Sequence, residues 1–234
     1  LCDYRKNDKC PPWSIQSSKM LHDNKKKTIY YDNALIKIYN IPVFYSPKLS
    51  HPDPTVKRKS GFLVPAFQDS KNLGEGISVP YFWAINKDKD LTISSKFFAS
   101  ENPLFLGEYK QAMKNSNLIF DFGHTEGYKK TSASKRTGGK NHFFSKFIRN
   151  FTNIDTNSEN SFSITNQYTN NDKYFKLYKI DSELASSDLD NLENTIKFTH
   201  SSDDLFFGFN MSSYETLKSD YEDKHEYIYP EIVL

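Results

Sequence analysis

The sequence lacks several features that would place it in a common functional class. Its 31 basic and 29 acidic side chains leave a formal charge of only +2, so it has no strongly basic face with which to bind nucleic acid. No segment approaches the roughly 18 consecutive apolar residues of a membrane-spanning helix, which excludes a helical membrane protein. Aromatic residues, at 15%, are too frequent for a disordered chain.

Motifs for catalysis and metal binding are also missing. The six histidines show neither the HxH nor the HExxH spacing that would hold a metal ion. No Gly-x-Ser-x-Gly elbow and no glycine-rich phosphate loop occurs. Acidic pairs such as Asp203 and Asp204 lie in polar turns, where solvated turn residues are the ordinary case. We therefore predict a protein that is not an enzyme and needs no cofactor.

Cysteine is scarce, with Cys2 and Cys10 both near the start of the sequence. Their spacing is not CxxC, so zinc or thioredoxin-type chemistry is not indicated. The pair suits either a reduced compartment or a disulfide framework. The sequence begins without Met or a signal peptide and stops on an apolar run, so we expect it to be part of a longer protein.

The sequence does contain a two-residue alternation of apolar and polar side chains. The alternation is clearest from Leu91 to Phe97 and from Ser161 to Tyr168, and it marks strands with one apolar and one polar face. Since polar turns separate these segments, the pattern predicts an all-β, antiparallel fold. From Gly61 onward about ten strands are predicted, at 61–67, 75–85, 90–99, 104–113, 117–124, 141–151, 160–169, 192–200, 205–214 and 226–234.

Strand and connection lengths bear on the kind of β-protein. Many predicted strands are about 9–11 residues long, which is the length that a tilted strand needs to cross a bilayer. Short turns alternate with long polar loops at 125–140 and 170–191, as in outer-membrane barrels. Periodicity alone cannot separate a barrel, whose apolar face meets lipid, from a soluble sandwich. The many Phe and Tyr residues on the apolar side and the low total hydrophobicity favour the barrel.

Positive charge is concentrated in the predicted loop 125–140. Such a cluster is ordinarily a solvated loop, and in the alternative it is a site for anionic sugar or phosphate groups. Its basic residues are Lys129, Lys130, Lys135, Arg136 and Lys140.

Residues 1–56 have a different pattern. A turn and a long strand are predicted over 25–39, followed by a short buried edge segment at 41–47. The prolines of 51–56 predict a stiff, extended connector, because proline fixes φ and disfavours helix before it. We place a domain boundary there, between residues 1–56 and 57–234.

Several motifs follow one another in a specific order and spacing: CPPWSI at 10–15, IPVFYSP at 41–47, HPDPTVKRKSGFLVP at 51–65, VPYFWA at 79–84 and DLTI at 90–93. Together they resemble the LptD (OstA/Imp) family of lipopolysaccharide (LPS) assembly proteins of Gram-negative bacteria, whereas 100–234 match only as barrel-type strands. The resemblance implies that 1–56 are the end of a periplasmic OstA-like β-jellyroll. It implies that 57–234 are the first ten or so strands of a large transmembrane β-barrel in the cell outer membrane.

The family passes LPS through a lateral gate between the first and last barrel strands. The prolines of the first two strands matter there, and Pro65 and Pro80, beside Val64 and Val79, stand at the matching positions. Proline donates no ladder hydrogen bond and belongs at sheet edges. A seam without those donors opens at lower cost, since each lost bond is worth roughly 0.5–1.5 kcal/mol. Without the resemblance, both prolines would simply bend strands at an edge.

The resemblance also assigns roles to charged and sulfur-containing residues. Lys57, Arg58 and Lys59 could meet the phosphates of a lipid A head group, or snorkel at the membrane interface. The family joins its jellyroll to the later part of the barrel by disulfides, and Cys10 stands where the family cysteine does. A bridge from Cys10 to a cysteine outside this sequence and a local bridge to Cys2 both stay open.

The partners implied are LPS, outer-membrane lipid, an LptE-like plug lipoprotein and an LptA-like periplasmic bridge. Two other functions stay open. A general outer-membrane porin would need neither the proline pair nor the basic, proline-rich connector. A secreted β-sandwich would serve as a sugar-binding module or a carbohydrate-active enzyme.

Overall fold

The computed structural model describes residues 13–38, 41–56, 58–132, 135, 137–153, 157–218 and 222–234. Within these ranges the regular secondary structure is almost entirely strand, and the sheets are antiparallel, which confirms the predicted all-β, antiparallel fold. None of these ranges contains a helix long and apolar enough to cross a membrane. The chain divides into two compact units, 1–61 and 62–234, whose assignment to a jellyroll and a barrel stays a prediction.

The first unit is a four-stranded sheet built around one long strand. Strands β1 and β2 pair one after the other with one edge of β3, and β4 pairs with its other edge. β3 is rich in Ile and Tyr, residue types that suit a pleated, half-buried surface. The strands are β1 (Trp13–Gln16), β2 (Lys19–Asp23), β3 (Thr28–Ile38) and β4 (Ile41–Pro52).

Strand β4 differs from the sequence prediction in both length and exposure. It continues to Pro52, and its apolar side chains, such as Phe44 at 55% exposure, are not buried. The extended connector is also wrong in detail, because Asp53 closes a turn by accepting hydrogen bonds from the backbone N and Oγ1 of Thr55, each at 2.7 Å. These bonds, aided by His22, hold the pKa of Asp53 below its usual range.

The second unit is a single antiparallel meander. Each strand from β7 to β15 pairs with its sequence neighbours, and the short strands β5 and β6 both pair with β7. The strands are β5 (Gly61–Phe62), β6 (Ala66–Gln68), β7 (Gly76–Asn86), β8 (Lys89–Phe98), β9 (Leu104–Met113), β10 (Ser116–Gly127), β11 (Thr137–Asn153), β12 (Ser158–Thr169), β13 (Asn191–Ser201), β14 (Phe206–Thr216) and β15 (His225–Val233).

Nine of the ten predicted strands agree with β7 to β15 within a few residues. The predicted strand 61–67 is wrong, because residues 63–65 separate β5 from β6. Pro65 explains the break, since it cannot donate a ladder hydrogen bond and restricts the residue before it. β11 begins earlier than predicted, so the basic loop 125–140 shortens to 128–136.

Cross-strand register gives this sheet two chemically different faces. Partner residues in an antiparallel pair lie on the same face, so the outer face can be followed from Gly107 to Phe122, Phe143 and Tyr168. That face is apolar and exposed, with Trp83, Ile93, Phe97, Phe105, Phe122, Phe143, Tyr168, Ile196 and Met211 between 41% and 54% accessible. The inner face, one residue along each strand, is polar: it carries Glu108, Lys110, Asp121, Lys140, His142, Lys146, Gln167, Thr195 and Ser212.

The connection 170–190, which we call the strap, folds over the inner face. It contains the five-residue helix α1 (Tyr174–Tyr178). Tyr174, Phe175, Tyr178 and Ile180 are each at most 1% exposed, and they form one apolar cluster with inner-face residues such as Phe144. The core of the second unit therefore lies between the strap and the sheet.

Candidate functional site

The edge of β7 that faces β5 and β6 is a weakly paired seam, which we call the proline seam (residues 62–68 against 76–81). The backbone N of Leu63 donates to the carbonyl O of Pro80 at 2.9 Å. The N–H and C=O of one residue in an antiparallel strand point to the same neighbour. The side of Pro80 without a donor therefore faces Leu63, not β8. The two-residue strand β5 also pairs with β7, and β6 pairs with it through three residue pairs.

The structure places the other predicted gate residues on either side of this seam. Val64 is 63% exposed and lies with Pro65 in the break between β5 and β6. Val79 lies within β7, where it pairs with Ser95 of β8. Contacts across the seam come from Leu63 and from the ring of Phe62, which lies edge-on to Tyr81 at 5.1 Å. The role of these residues as a gate stays a prediction.

Three predicted site residues, Cys2, Cys10 and Lys57, lie outside the described residues. Arg58, the second residue of the basic triplet, is half-buried. The third is engaged locally, because the ammonium of Lys59 donates to the carbonyl O of Lys26 at 2.8 Å and to the hydroxyl of Thr28.

The long connections at one end of the meander are joined by a buried carboxylate. Glu101, 7% exposed, accepts hydrogen bonds from the Lys135 ammonium at 2.9 Å and from the backbone N of Lys129 at 2.8 Å. Burial raises the pKa of Glu101, but the bonds from Lys135 and Lys129 outweigh it and leave that pKa below its usual range. Lys135 also donates to the carbonyl of Asn72 at 3.0 Å. Part of the basic loop is therefore internally neutralised.

A buried polar cluster fixes the strap to the inner face. Asp121 accepts a hydrogen bond from the hydroxyl of strap residue Ser182 and lies 3.0 Å from Nε2 of His142. The side chains of Asp121 and His142 are at most 3% exposed. The imidazole of His142 also packs against the rings of Tyr174 and Phe175 at 5.4 and 5.0 Å.

Further contacts fix the C-terminal end of α1 and the chain after it. The Lys96 ammonium donates to the carbonyl O of Lys179 at 2.8 Å. Strap residue Glu183 pairs with Lys110 at 2.8 Å, and its backbone N donates to the carboxylate of Glu108 at 3.1 Å. The strap thus carries an apolar anchor followed by a set of polar contacts.

Sequence reasoning missed this cluster. Asp121 and His142 fit no metal or catalytic spacing, and only the pairing of β10 with β11 brings them together. The apolar anchor left a weak signal, the run YFKLYKI at 174–180 inside a polar loop. No group of three or more His, Cys, Asp or Glu side chains placed to hold a metal occurs in the described part of the chain.

Comparison with known proteins settles the family. No protein-family model matches the chain. LPS-assembly protein LptD of Nitrosococcus oceani is 30% identical over 180 residues, 75% of this chain. LptD of Francisella tularensis subsp. holarctica is 31% identical over 165 residues, 68% of this chain. The chain belongs to the LptD family. LptD of Shewanella frigidimarina is 38% identical over 95 residues, 39% of this chain.

Membership of the LptD family confirms the resemblance that the motifs between residues 10 and 93 indicate. The chain spans only 22%, 18% and 12% of the lengths of these three LptD relatives.

Proposed function

We propose that this chain is part of an LPS-assembly protein of the outer membrane, in which residues 62–234 contribute barrel strands and residues 1–61 the end of a periplasmic jellyroll. The observation that carries the proposal is the two-faced sheet. Aromatic and aliphatic side chains stay exposed on the outer face, while the inner face is charged and polar. A barrel wall between lipid and a wet lumen has this arrangement, whereas soluble monomers rarely expose so large an apolar patch.

Strand and connection lengths support the same proposal. Strands β7 to β15 contain 9–17 residues, enough to cross a bilayer at the usual tilt of a barrel strand. Short connections at 87–88, 114–115 and 202–205 alternate with longer ones at 99–103, 128–136 and 170–190. Outer-membrane barrels combine short periplasmic turns with longer extracellular loops, so the strap would belong to the extracellular end.

The proline seam is the proposed lateral gate. Its backbone pairing is short, and Pro80 offers no donor towards Leu63. A missing hydrogen bond there lowers the cost of separating the strands by roughly 0.5–1.5 kcal/mol. LPS acyl chains would leave sideways into the membrane, while the phosphorylated sugars stay on the polar side. The transfer breaks no covalent bond, so the protein would act as a conduit and not as an enzyme.

Family membership supports the proposed partners of the complete protein. These are LPS as cargo, outer-membrane lipid around the barrel, an LptA-like periplasmic bridge as donor and an LptE-like lipoprotein as plug.

A photo-crosslinking residue in the full-length parent protein in cells tests the proposal. We would place it at Val64 in the seam and, as a control, at Ile164 on the outer face of β12. An LPS adduct at Val64 well above that at Ile164 supports passage beside the first strands. Equal adducts would mean only that the protein lies among LPS, which refutes the gate. No adduct at either position, with the protein recovered in the soluble fraction, refutes the membrane function.

A further inference from the structure

The inner face carries a groove beside the strap that the proposed gate does not use. The groove has a volume of about 270 Å³ and is lined by residues of β9, β10 and β11 together with strap residue Glu183. Its lining includes Lys110 and Lys146 as cations, with Ile119 and Ile148 as apolar side chains. We call this set of residues the inner groove.

The two lysines of the inner groove flank one apolar residue. Ile119 of β10 pairs with Lys110 of β9 and with Lys146 of β11. Neighbouring strands lie about 4.8 Å apart, so the two lysine Cα atoms are separated by roughly 10 Å and their flexible side chains can converge on one anion. Such a pair of ammonium groups suits a phosphate, to which lysine binds as a compact charge with three donors.

The ammonium groups of the two lysines differ in the partners that they already have. The Lys110 ammonium lies 2.9 Å from the carboxylate of Glu108 and 2.8 Å from that of Glu183. The Lys146 ammonium has no hydrogen-bond or ion-pair partner within the described ranges. Glu108 and Glu183 therefore already hold Lys110, one half of a two-lysine anion site, whereas the ammonium of Lys146, the other half, is open. The Lys110–Glu183 pair is about half exposed, and pairs of this kind are weak enough to be exchanged for another anion.

We propose that the inner groove binds a phosphorylated saccharide, whose phosphate bridges Lys110 and Lys146 and replaces Glu183. The inference rests on the proposed function, because it names the residues that meet the phosphosugar part of the cargo. Ile119 and Ile148 would contact the apolar edges of the sugar ring. Since Glu183 belongs to the strap, binding removes one of the strap's contacts with the sheet. In the unliganded protein the strap therefore competes with the saccharide for Lys110, and binding of the saccharide weakens the attachment of the strap.

The experiment places a photo-crosslinking residue at Thr165 of the full-length parent protein in cells and measures the yield of its LPS adduct. Thr165 of β12 pairs with Lys146 of β11. Lys146→Gln removes the open cation, and we expect the adduct yield at Thr165 to fall roughly two- to fivefold. Glu183→Gln removes one of the two carboxylates on Lys110, and the yield should rise by a similar factor. Lys176→Gln and Glu159→Gln, at exposed positions away from the groove, are the charge-matched controls and should leave the yield unchanged.

Three other outcomes would overturn the proposal or the proposed function. Yields are normalised to folded protein recovered from the outer membrane, so a folding defect is not counted as lost binding. A fall in both Lys146→Gln and Glu183→Gln marks the groove as merely structural and refutes it as a site. Unchanged yields, with the Val64 adduct intact, refute the groove and leave the proposed function standing. Loss of adducts at both Val64 and Thr165 in the unsubstituted protein refutes the proposed function itself.

The phosphate could belong to a saccharide or be free in solution, and a second measurement separates these sources. Acylation of Lys146 is followed by mass spectrometry in the purified full-length protein with glucosamine 6-phosphate, glucosamine or inorganic phosphate. We expect glucosamine 6-phosphate to protect Lys146 best. Equal protection by inorganic phosphate refutes saccharide recognition, and protection by none of the three refutes the anion site.

Discussion

The packing of the strap predicts opposite outcomes for two neighbouring phenylalanines. Phe144 is fully buried, and its ring lies 5.4 Å from that of His142 and 5.1 Å from that of Phe175. Phe143 precedes it on β11, points to the outer face and is 43% exposed. Phe144→Ala should release the strap, whereas Phe143→Ala should not.

The magnitude follows from the cavity that Phe144→Ala would leave. Truncating a buried phenylalanine to alanine costs about 3–5 kcal/mol. Helix α1 has five residues, too few to be helical without tertiary contacts. Much of the cost should therefore appear as a lower free energy for opening the strap. Converted to an equilibrium, it corresponds to roughly a 10²- to 10³-fold increase in the open fraction.

Amide hydrogen exchange of the full-length protein in a lipid bilayer measures this opening. The informative amides are those of Leu177 and Ile180, which donate within the strap to the carbonyls of Lys173 and Phe175 at 2.9 and 3.1 Å. Their exchange should accelerate in Phe144→Ala and stay unchanged in Phe143→Ala. Equal protection in both variants, or faster exchange in Phe143→Ala, would refute the assignment of the two faces.

Three further predictions concern other parts of the second unit. Glu101→Gln should lower the free energy of unfolding at neutral pH by about 1.5–3 kcal/mol. Because the folded-state pKa of Glu101 is depressed, this difference from the unsubstituted protein should disappear as pH falls below about 4. A difference in thermal unfolding that does not depend on pH would contradict the Lys135 contact. Gly123→Ala places a Cβ 2.8 Å from the Tyr174 hydroxyl and should cost about 1–3 kcal/mol, detected as faster proteolysis of the strap; unchanged proteolysis would count against it. Pro80→Ala adds an N–H towards the seam and should lower the seam's LPS adduct roughly two- to tenfold, and an unchanged or higher yield would contradict the gate.

Local alternation predicts most of this fold because it depends only on neighbouring residues. The nine strands from β7 to β15 are predicted by alternating apolar and polar residues, because successive side chains of a strand point to opposite faces. The failure at 61–67 has a local cause too, because Pro65 interrupts an otherwise suitable strand. The prediction for 41–47 is wrong in length and burial because prolines are tolerated within an edge strand and do not end it, and its apolar side chains can stay exposed.

The strap and its polar cluster could not be predicted in the same way. Asp121, His142 and Ser182 come together only through strand register and a long connection, which no local pattern encodes. The partners of two lysines could not be predicted for the same reason. Lys59 and Lys135 appear in the sequence as free positive charge, but backbone carbonyls and Glu101 occupy their ammonium groups.

The central claim is that the sheet of residues 62–234 separates lipid from a wet interior, and accessibility along β12 tests it most directly. Single cysteines at Phe162, Ser163, Ile164 and Thr165 of the full-length protein are labelled in native membranes with a water-soluble maleimide, with the unsubstituted protein as background. We predict labelling at positions 163 and 165 and protection at 162 and 164. Labelling at 162 and 164 would contradict it, because their outer face would then meet water.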